Sequence, residues 1–169
     1  MELKVKPNML VIKELEKVIN KHKHSIVFTE QPVNTFAEFS AAVKPTKDTP
    51  LVPADRNYRI TDLKDSSLQK AIELLGADKC TNAFIYPPNT ILDWHTNSND
   101  PGIRTYYTYS IKKSIFKYID PDTGATVLDK DLIGAWTCRS FPIAVEKPIW
   151  HTVWSEGIRF AFGFSTYLQ

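Results

Sequence analysis

The feature that most constrains this chain is a change of period at Gly76. Before it, apolar residues recur at helical spacing: Met9, Leu10, Ile12, Leu15, Val18 and Ile19 line one side of a segment from Asn8 to Lys21, with Asn8 placed as its N-cap. Leu68, Ile72 and Leu75 do the same from Asp65 to Leu75, and Gly76 supplies the stop. After Gly76 the chain breaks into short runs rich in β-branched and aromatic residues, each bounded by turn residues. The pattern predicts strands near Thr81–Tyr86, Ile91–His95, Arg104–Ser110, Ser114–Tyr118, Thr126–Leu128, Gly134–Phe141, His151–Ser155 and Arg159–Tyr167. Seven or eight short strands at this spacing, preceded by helices, suggest two packed sheets.

The reading that follows is mainly β: a jelly roll or related double-sheet barrel buttressed by N-terminal α-helices. A length of 169 residues suits a single domain, residues 1–169, with 1–78 as a helical support region and 79–169 as the β-barrel core. Within the support region Ser25-Ile26-Val27-Phe28 reads as a short strand and Asn34 to Val43 as a second short helix. Pro45, Pro50 and Pro53 make Lys44 to Asn57 a surface loop, and Asp120-Pro121-Asp122-Thr123-Gly124 is a turn between strands.

Composition narrows the function classes. Hydrophobic residues at 43% and charged residues at 24% exclude a disordered or fibrous chain, and a net charge of +2 gives no reason to invoke nucleic acid. Cys80 and Cys138 form neither a disulfide framework nor a CxxC pair, and no run is long or apolar enough for a signal peptide or membrane span. A cytoplasmic protein without a membrane partner is expected. Cys138 reads as a buried thiol, the tryptophans as barrel core, and Lys112, Lys113 and Lys117 as solvated strand ends.

Candidate chemistry concentrates on two of the four histidines. His22 and His24 sit among lysines at a helix end, a solvated and basic setting that is poor for metal. His95 and His151 each follow a tryptophan at a junction of turn and strand, where a side chain can point into a barrel mouth. Alternation along Arg159-Phe160-Ala161-Phe162-Gly163-Phe164-Ser165 puts three phenylalanines on one face, suited to packing against helices. The other face carries Arg159 followed by small residues, a floor on which a guanidinium can grip a carboxylate in a bidentate fork.

The ordered set of His95, His151 and Arg159 resembles the Fe(II)/2-oxoglutarate-dependent dioxygenase superfamily, whose double-stranded β-helix, a cupin-like jelly roll, carries HxD, a distal His and an Arg or Lys shortly after it; the resemblance implies that fold here. The resemblance covers about residues 80–167. The run Trp94-His95-Thr96-Asn97 with Pro101-Gly102-Ile103-Arg104-Thr105-Tyr106 looks like the prolyl-hydroxylase and aspartyl/asparaginyl β-hydroxylase branches. In the latter an Arg and a His two residues on contact the cosubstrate; the matching positions are Arg104 and Tyr106, and Tyr departs from that pattern. The resemblance implies His95 and His151 as metal ligands and catalytic residues, Arg159, Arg104 and Tyr106 as cosubstrate contacts, and Fe(II) and 2-oxoglutarate as cofactors. It implies an oxygenase that hydroxylates a C–H of a small-molecule or peptide substrate, releasing succinate and CO2.

Asn97 stands where the usual triad has its carboxylate. An amide oxygen is neutral and a weaker ligand. Asn97 can coordinate weakly or hold a metal-bound water; the two histidines and cosubstrate can hold iron between them; or Asp93 or Asp100 can turn in. Asp93 starts about 6–7 Å from His95 by strand rise and ranks below Asn97. The alternative function is a non-catalytic, cupin-like binding or accessory protein. Oligomeric state is not legible in the sequence.

Overall fold

A computed structural model describes residues 2–24, 28, 33–51 and 59–167. The support region comprises a two-residue strand β1 (Lys4–Val5), then α1 (Met9–His22), α2 (Phe36–Ala41) and α3 (Ser66–Leu75). The remainder is β2 (Lys79–Tyr86), β3 (Thr90–His95), β4 (Gly102–Ser110), β5 (Ser114–Ile119), β6 (Thr126–Lys130), β7 (Trp136–Ile143), β8 (His151–Ser155) and β9 (Arg159–Thr166). All eight strands expected after Gly76 are present, shifted by a few residues at their ends. The strand expected over Ser25–Phe28 lies largely outside the described residues.

The strands form two antiparallel sheets in the orders β1-β7-β4-β9-β2 and β3-β8-β5-β6. From β2 onward each strand crosses to the other sheet, except that β5 and β6 form a hairpin within the smaller one. This order is that of a jelly roll, and the fold is mainly β. The hairpin turn is the one expected: Asp120 Oδ1 accepts from the backbone N–H groups of Asp122 and Thr123, and Gly124 takes φ 69°. β7 starts two residues later than the sequence pattern suggests, because Gly134 adopts φ 66° in the turn before it and donates its N–H to the Ser110 carbonyl.

Alternation along β9 assigns the two faces of the larger sheet. Phe160, Phe162 and Phe164 pack outward against Val11, Leu15 and Val18 of α1 and Leu68 and Ala71 of α3, as the alternating pattern requires. Both helices are capped by the residues that announced them. Asn8 Oδ1 accepts from Leu10 N at 3.0 Å, and Gly76 closes α3 at φ 61°. Cys80 and Cys138 are buried in this layer, and burial pushes their thiols up to about 12 and about 11. Neither is an accessible nucleophile.

The outer face of the smaller sheet is covered by α2, where Phe36 and Phe39 meet Trp154 and Ile115. Here one expectation fails. Lys117 is not a solvated strand end: it is 5% exposed, with Nζ donating to the carbonyls of Phe39 and Ser40 at 3.1 and 3.2 Å. Two carbonyls at a helix C-terminus and the neighbouring Phe39 and Trp94 rings replace the water that an ammonium needs. Burial nonetheless holds its pKa below the usual lysine range. Among the described residues no helix is long and apolar enough to cross a membrane.

Candidate functional site

Between the sheets, an apolar group of Phe116, Tyr118, Phe141, Ile143, Ile149 and Val153 adjoins His151, one of the two histidines singled out by sequence, whose ring meets Phe116 and Phe141. β3 and β8 pair antiparallel, and after a register shift beyond Leu92 they set His95 directly opposite His151. Cross-strand partners on one face are within side-chain reach. The imidazole centroids are 4.1 Å apart at an interplanar angle of 58°.

The backbone fixes the proton on each ring. His95 Nδ1 is 2.7 Å from the Asp93 carbonyl, and His151 Nδ1 is 2.9 Å from the Ile149 carbonyl. A carbonyl only accepts, so Nδ1 carries the hydrogen and Nε2 the lone pair. Both rings are buried at 3% and 2% exposure. Burial drops His95 to about 4 and, with the repulsion of His95, holds His151 well below the ordinary imidazole value. The rings are neutral at pH 7 and offer two Nε2 lone pairs for which the described residues provide no hydrogen-bond donor.

Asn97 follows His95 in the left-handed region at φ 60°, a conformation Asn tolerates well. Its N–H and that of Thr96 both donate to the Leu51 carbonyl, pinning the loop. Asn97 Nδ2 donates to Tyr106 Oη at 3.2 Å. Tyr106 shares the inner face of β4 with Arg104, which is 4% exposed and donates to Thr81 Oγ1 at 2.9 Å and Asp100 Oδ2 at 2.9 Å. Arg104 Nε is buried and has no hydrogen-bond partner among the described residues. The structure therefore gathers His95, His151, Asn97, Tyr106 and Arg104 in one neighbourhood, and the charge of Arg104 is felt by both histidines and by Tyr106. Gly163 is required opposite Tyr106, because a Cβ there would collide with Asn82 Oδ1.

Neither aspartate offered as a substitute ligand shows a carboxylate contact with His95 or His151 among the described residues. Asp100 is ion-paired with Arg104 and Lys79, and the Asp93 side chain lies on an exposed residue. Among the described residues no three His, Cys, Asp or Glu side chains converge.

Arg159 enters the same interior from its other end, opposite Ser110 on β4 and Tyr86 on β2. It is 3% exposed, and its Nε donates to Asp131 Oδ2 at 2.8 Å. Sequence reasoning missed that partner. It also missed Arg139, whose Nη1 lies 2.5 Å from Asp131 Oδ1 and whose Nε lies 2.8 Å from Asp129 Oδ2. Arg139 was detectable: it stands on the inward face of β7 between Thr137 and Phe141, where a lone charge needs a reason. Asp131 lies in the β6–β7 connection, and no periodicity marks it.

No protein-family profile matches the chain, and no curated protein does. Among solved structures it is similar to a Pseudomonas putida prolyl-4-hydroxylase, with 16% identity over 60% of this chain and 61% of that one, at a TM-score of 0.39. A cupin domain from Bordetella pertussis Tohama I gives 15% identity over 53% of this chain and 81% of that one, at a TM-score of 0.34. The match thus spans under two thirds of the hydroxylase chain. At these scores the fold rests on the strand order itself.

The residues present fit a divalent metal held by two histidines. Each imidazole is neutral, its tautomer is set by a backbone carbonyl, and its Nε2 is available, which is the arrangement metal-ligating histidines adopt. With metal–nitrogen bonds of about 2.0–2.1 Å, two rings on adjacent positions of one ion come to roughly this centroid spacing, whereas rings on opposite positions stand well beyond it. Asn97 keeps Oδ1 as its unused atom, since Nδ2 is taken by Tyr106.

Proposed function

We propose that this protein is an Fe(II)- and 2-oxoglutarate-dependent oxygenase that hydroxylates a C–H of a small-molecule or peptide substrate. The observation that carries the reading is the buried pair of neutral imidazoles, 4.1 Å apart, each with Nδ1 tied to backbone and Nε2 available. In this reading His95 and His151 hold the metal and Asn97 adds at most a weak oxygen. Iron with 2-oxoglutarate and dioxygen supplies the oxidation, giving succinate, CO2 and a hydroxylated product.

The chain's own residues bind and orient. Arg104, whose buried Nε has no partner among the described residues, would face the metal end of the cosubstrate, and Tyr106 would offer its hydroxyl proton there while accepting from Asn97. Arg159 takes the distal carboxylate. The apolar walls of Phe116, Phe141, Ile149 and Val153 keep bulk water from the pair. Two buried, unpaired cysteines suit the reducing cytoplasm as its setting.

The neutral Asn97 beside the pair favours one second reading, a cupin-like binding protein that holds a metal or an acid without turnover. The test is succinate release from 2-oxoglutarate with Fe(II) and ascorbate. Stoichiometric-or-greater succinate that disappears in His95→Ala and His151→Ala supports the oxygenase. Tight 2-oxoglutarate binding with no succinate under any condition supports the binding protein instead.

A further inference from the structure

The Asp131 carboxylate has no capacity left for a ligand. Its side chain is 1% exposed, and five donors surround it. Oδ1 accepts from Thr108 Oγ1 at 3.3 Å and Arg139 Nη1 at 2.5 Å; Oδ2 accepts from Ser110 Oγ at 3.2 Å, Ser114 Oγ at 2.8 Å and Arg159 Nε at 2.8 Å. Burial pushes its pKa up, and the two guanidiniums more than reverse that, so it stays ionised. A carboxylate bonded on every side is neither a base nor a ligand. It is a fixed anchor.

The two arginines it holds differ in what remains. Arg139 has all three nitrogens engaged: Nε and Nη2 bond Asp129, and Nη1 bonds Asp131. Arg159 is half spent. Only its Nε is committed, the Tyr86 ring lies 5.6 Å from its central carbon, and neither terminal nitrogen has an acceptor among the described residues, although the side chain is 4% exposed. Tyr106, beside the histidine end, feels the charge of Arg159 as well as that of Arg104. A guanidinium clamped at Nε and free at its far edge presents that edge in one place.

We propose that Asp131 is a positioning residue that sets which 2-oxo diacid the site accepts: by clamping Arg159 at Nε it fixes how far the free edge stands from the histidine pair, and hence the length of acid that reaches both. This inference rests on the oxygenase reading. An unclamped guanidinium swings on its flexible stem and accepts shorter and longer acids with similar ease.

The test is calorimetric binding, with Fe(II) under nitrogen, of oxaloacetate, 2-oxoglutarate and 2-oxoadipate, which differ by one methylene each. The unaltered protein is expected to favour one acid by about tenfold or more, the usual worth of one methylene in a fitted site. Asp131→Asn should flatten that preference to within about threefold, by weakening the favoured acid more than its neighbours. Where Asp131→Asn does not fold, Ser114→Ala, which removes one donor from the same Oδ2, should flatten it partially. Full length selectivity in either folded variant overturns the inference. Equal binding of all three acids by the unaltered protein overturns it too and leaves the oxygenase reading standing, whereas binding of none overturns both.

Discussion

The interior of this barrel has two polar ends built on opposite logic. At one end Asp131 joins Arg139 and Arg159 with Thr108, Ser110 and Ser114, and every oxygen of the carboxylate is used. At the other, no donor among the described residues reaches Nε2 of His95 or His151, and none of them offers an acceptor to the buried Nε of Arg104. Phe116 bridges them, stacking on His151 at 5.0 Å and lying 5.1 Å from the Arg139 guanidinium. Burying a polar group is costly unless it is paired. The saturated Asp131 carboxylate therefore reads as structure, and the histidine end, with the free edge that Asp131 leaves on Arg159, as the place for something else to bind.

The contrast breaks most readily at Asp131. Asp131→Ala leaves two buried guanidiniums short of their shared anion and should cost about 3–5 kcal/mol in denaturant unfolding, the usual cost of breaking a buried pair. A loss below about 1 kcal/mol would mean that the network is not what holds this end together.

Acid should strike the other end. His95 titrates at about 4 folded against 6.5 unfolded, a depressed value, so below pH 6.5 the unfolded chain takes up a proton that the folded one refuses. Stability should be unaffected by this group above pH 7 and should fall by about 3 kcal/mol between pH 6.5 and 4, and His95→Leu should remove that part of the slope. Parallel pH–stability curves for the two proteins would contradict the neutral, buried imidazole.

Smaller effects sharpen the division of labour. Asn97→Asp adds a charge to a neutral donor set and should tighten Fe(II) binding without cosubstrate by about tenfold, while Asn97→Ala changes it little. A complete loss in Asn97→Ala, equal to that in His95→Ala, would make Asn97 a full third ligand. His151→Leu at pH 8 should cost only about 1 kcal/mol of stability, the worth of one hydrogen bond to a backbone carbonyl, while losing metal. A much larger loss would make this end structural as well.

Much of this was legible because period and chemistry coincide. Alternation along β9 separated Phe160, Phe162 and Phe164 from Arg159, and the placement of His95 and His151 at strand ends foretold that they meet. What escaped depends on contacts distant in sequence. Asp131 becomes central only when the β6–β7 connection folds over Ser114 and Arg159, and Lys117 is buried only because α2 lays its last carbonyls on it. β1 is two residues long and owes its place to β7 rather than to any pattern of its own.

Anaerobic titration with Fe(II), followed by 2-oxoglutarate, tests most directly that the histidine pair is a metal centre. Fe(II) should bind weakly and more tightly once 2-oxoglutarate is added, with a visible charge-transfer band that both His95→Ala and His151→Ala abolish in folded protein. Iron binding that survives both substitutions, or no band in the unaltered protein, would contradict it.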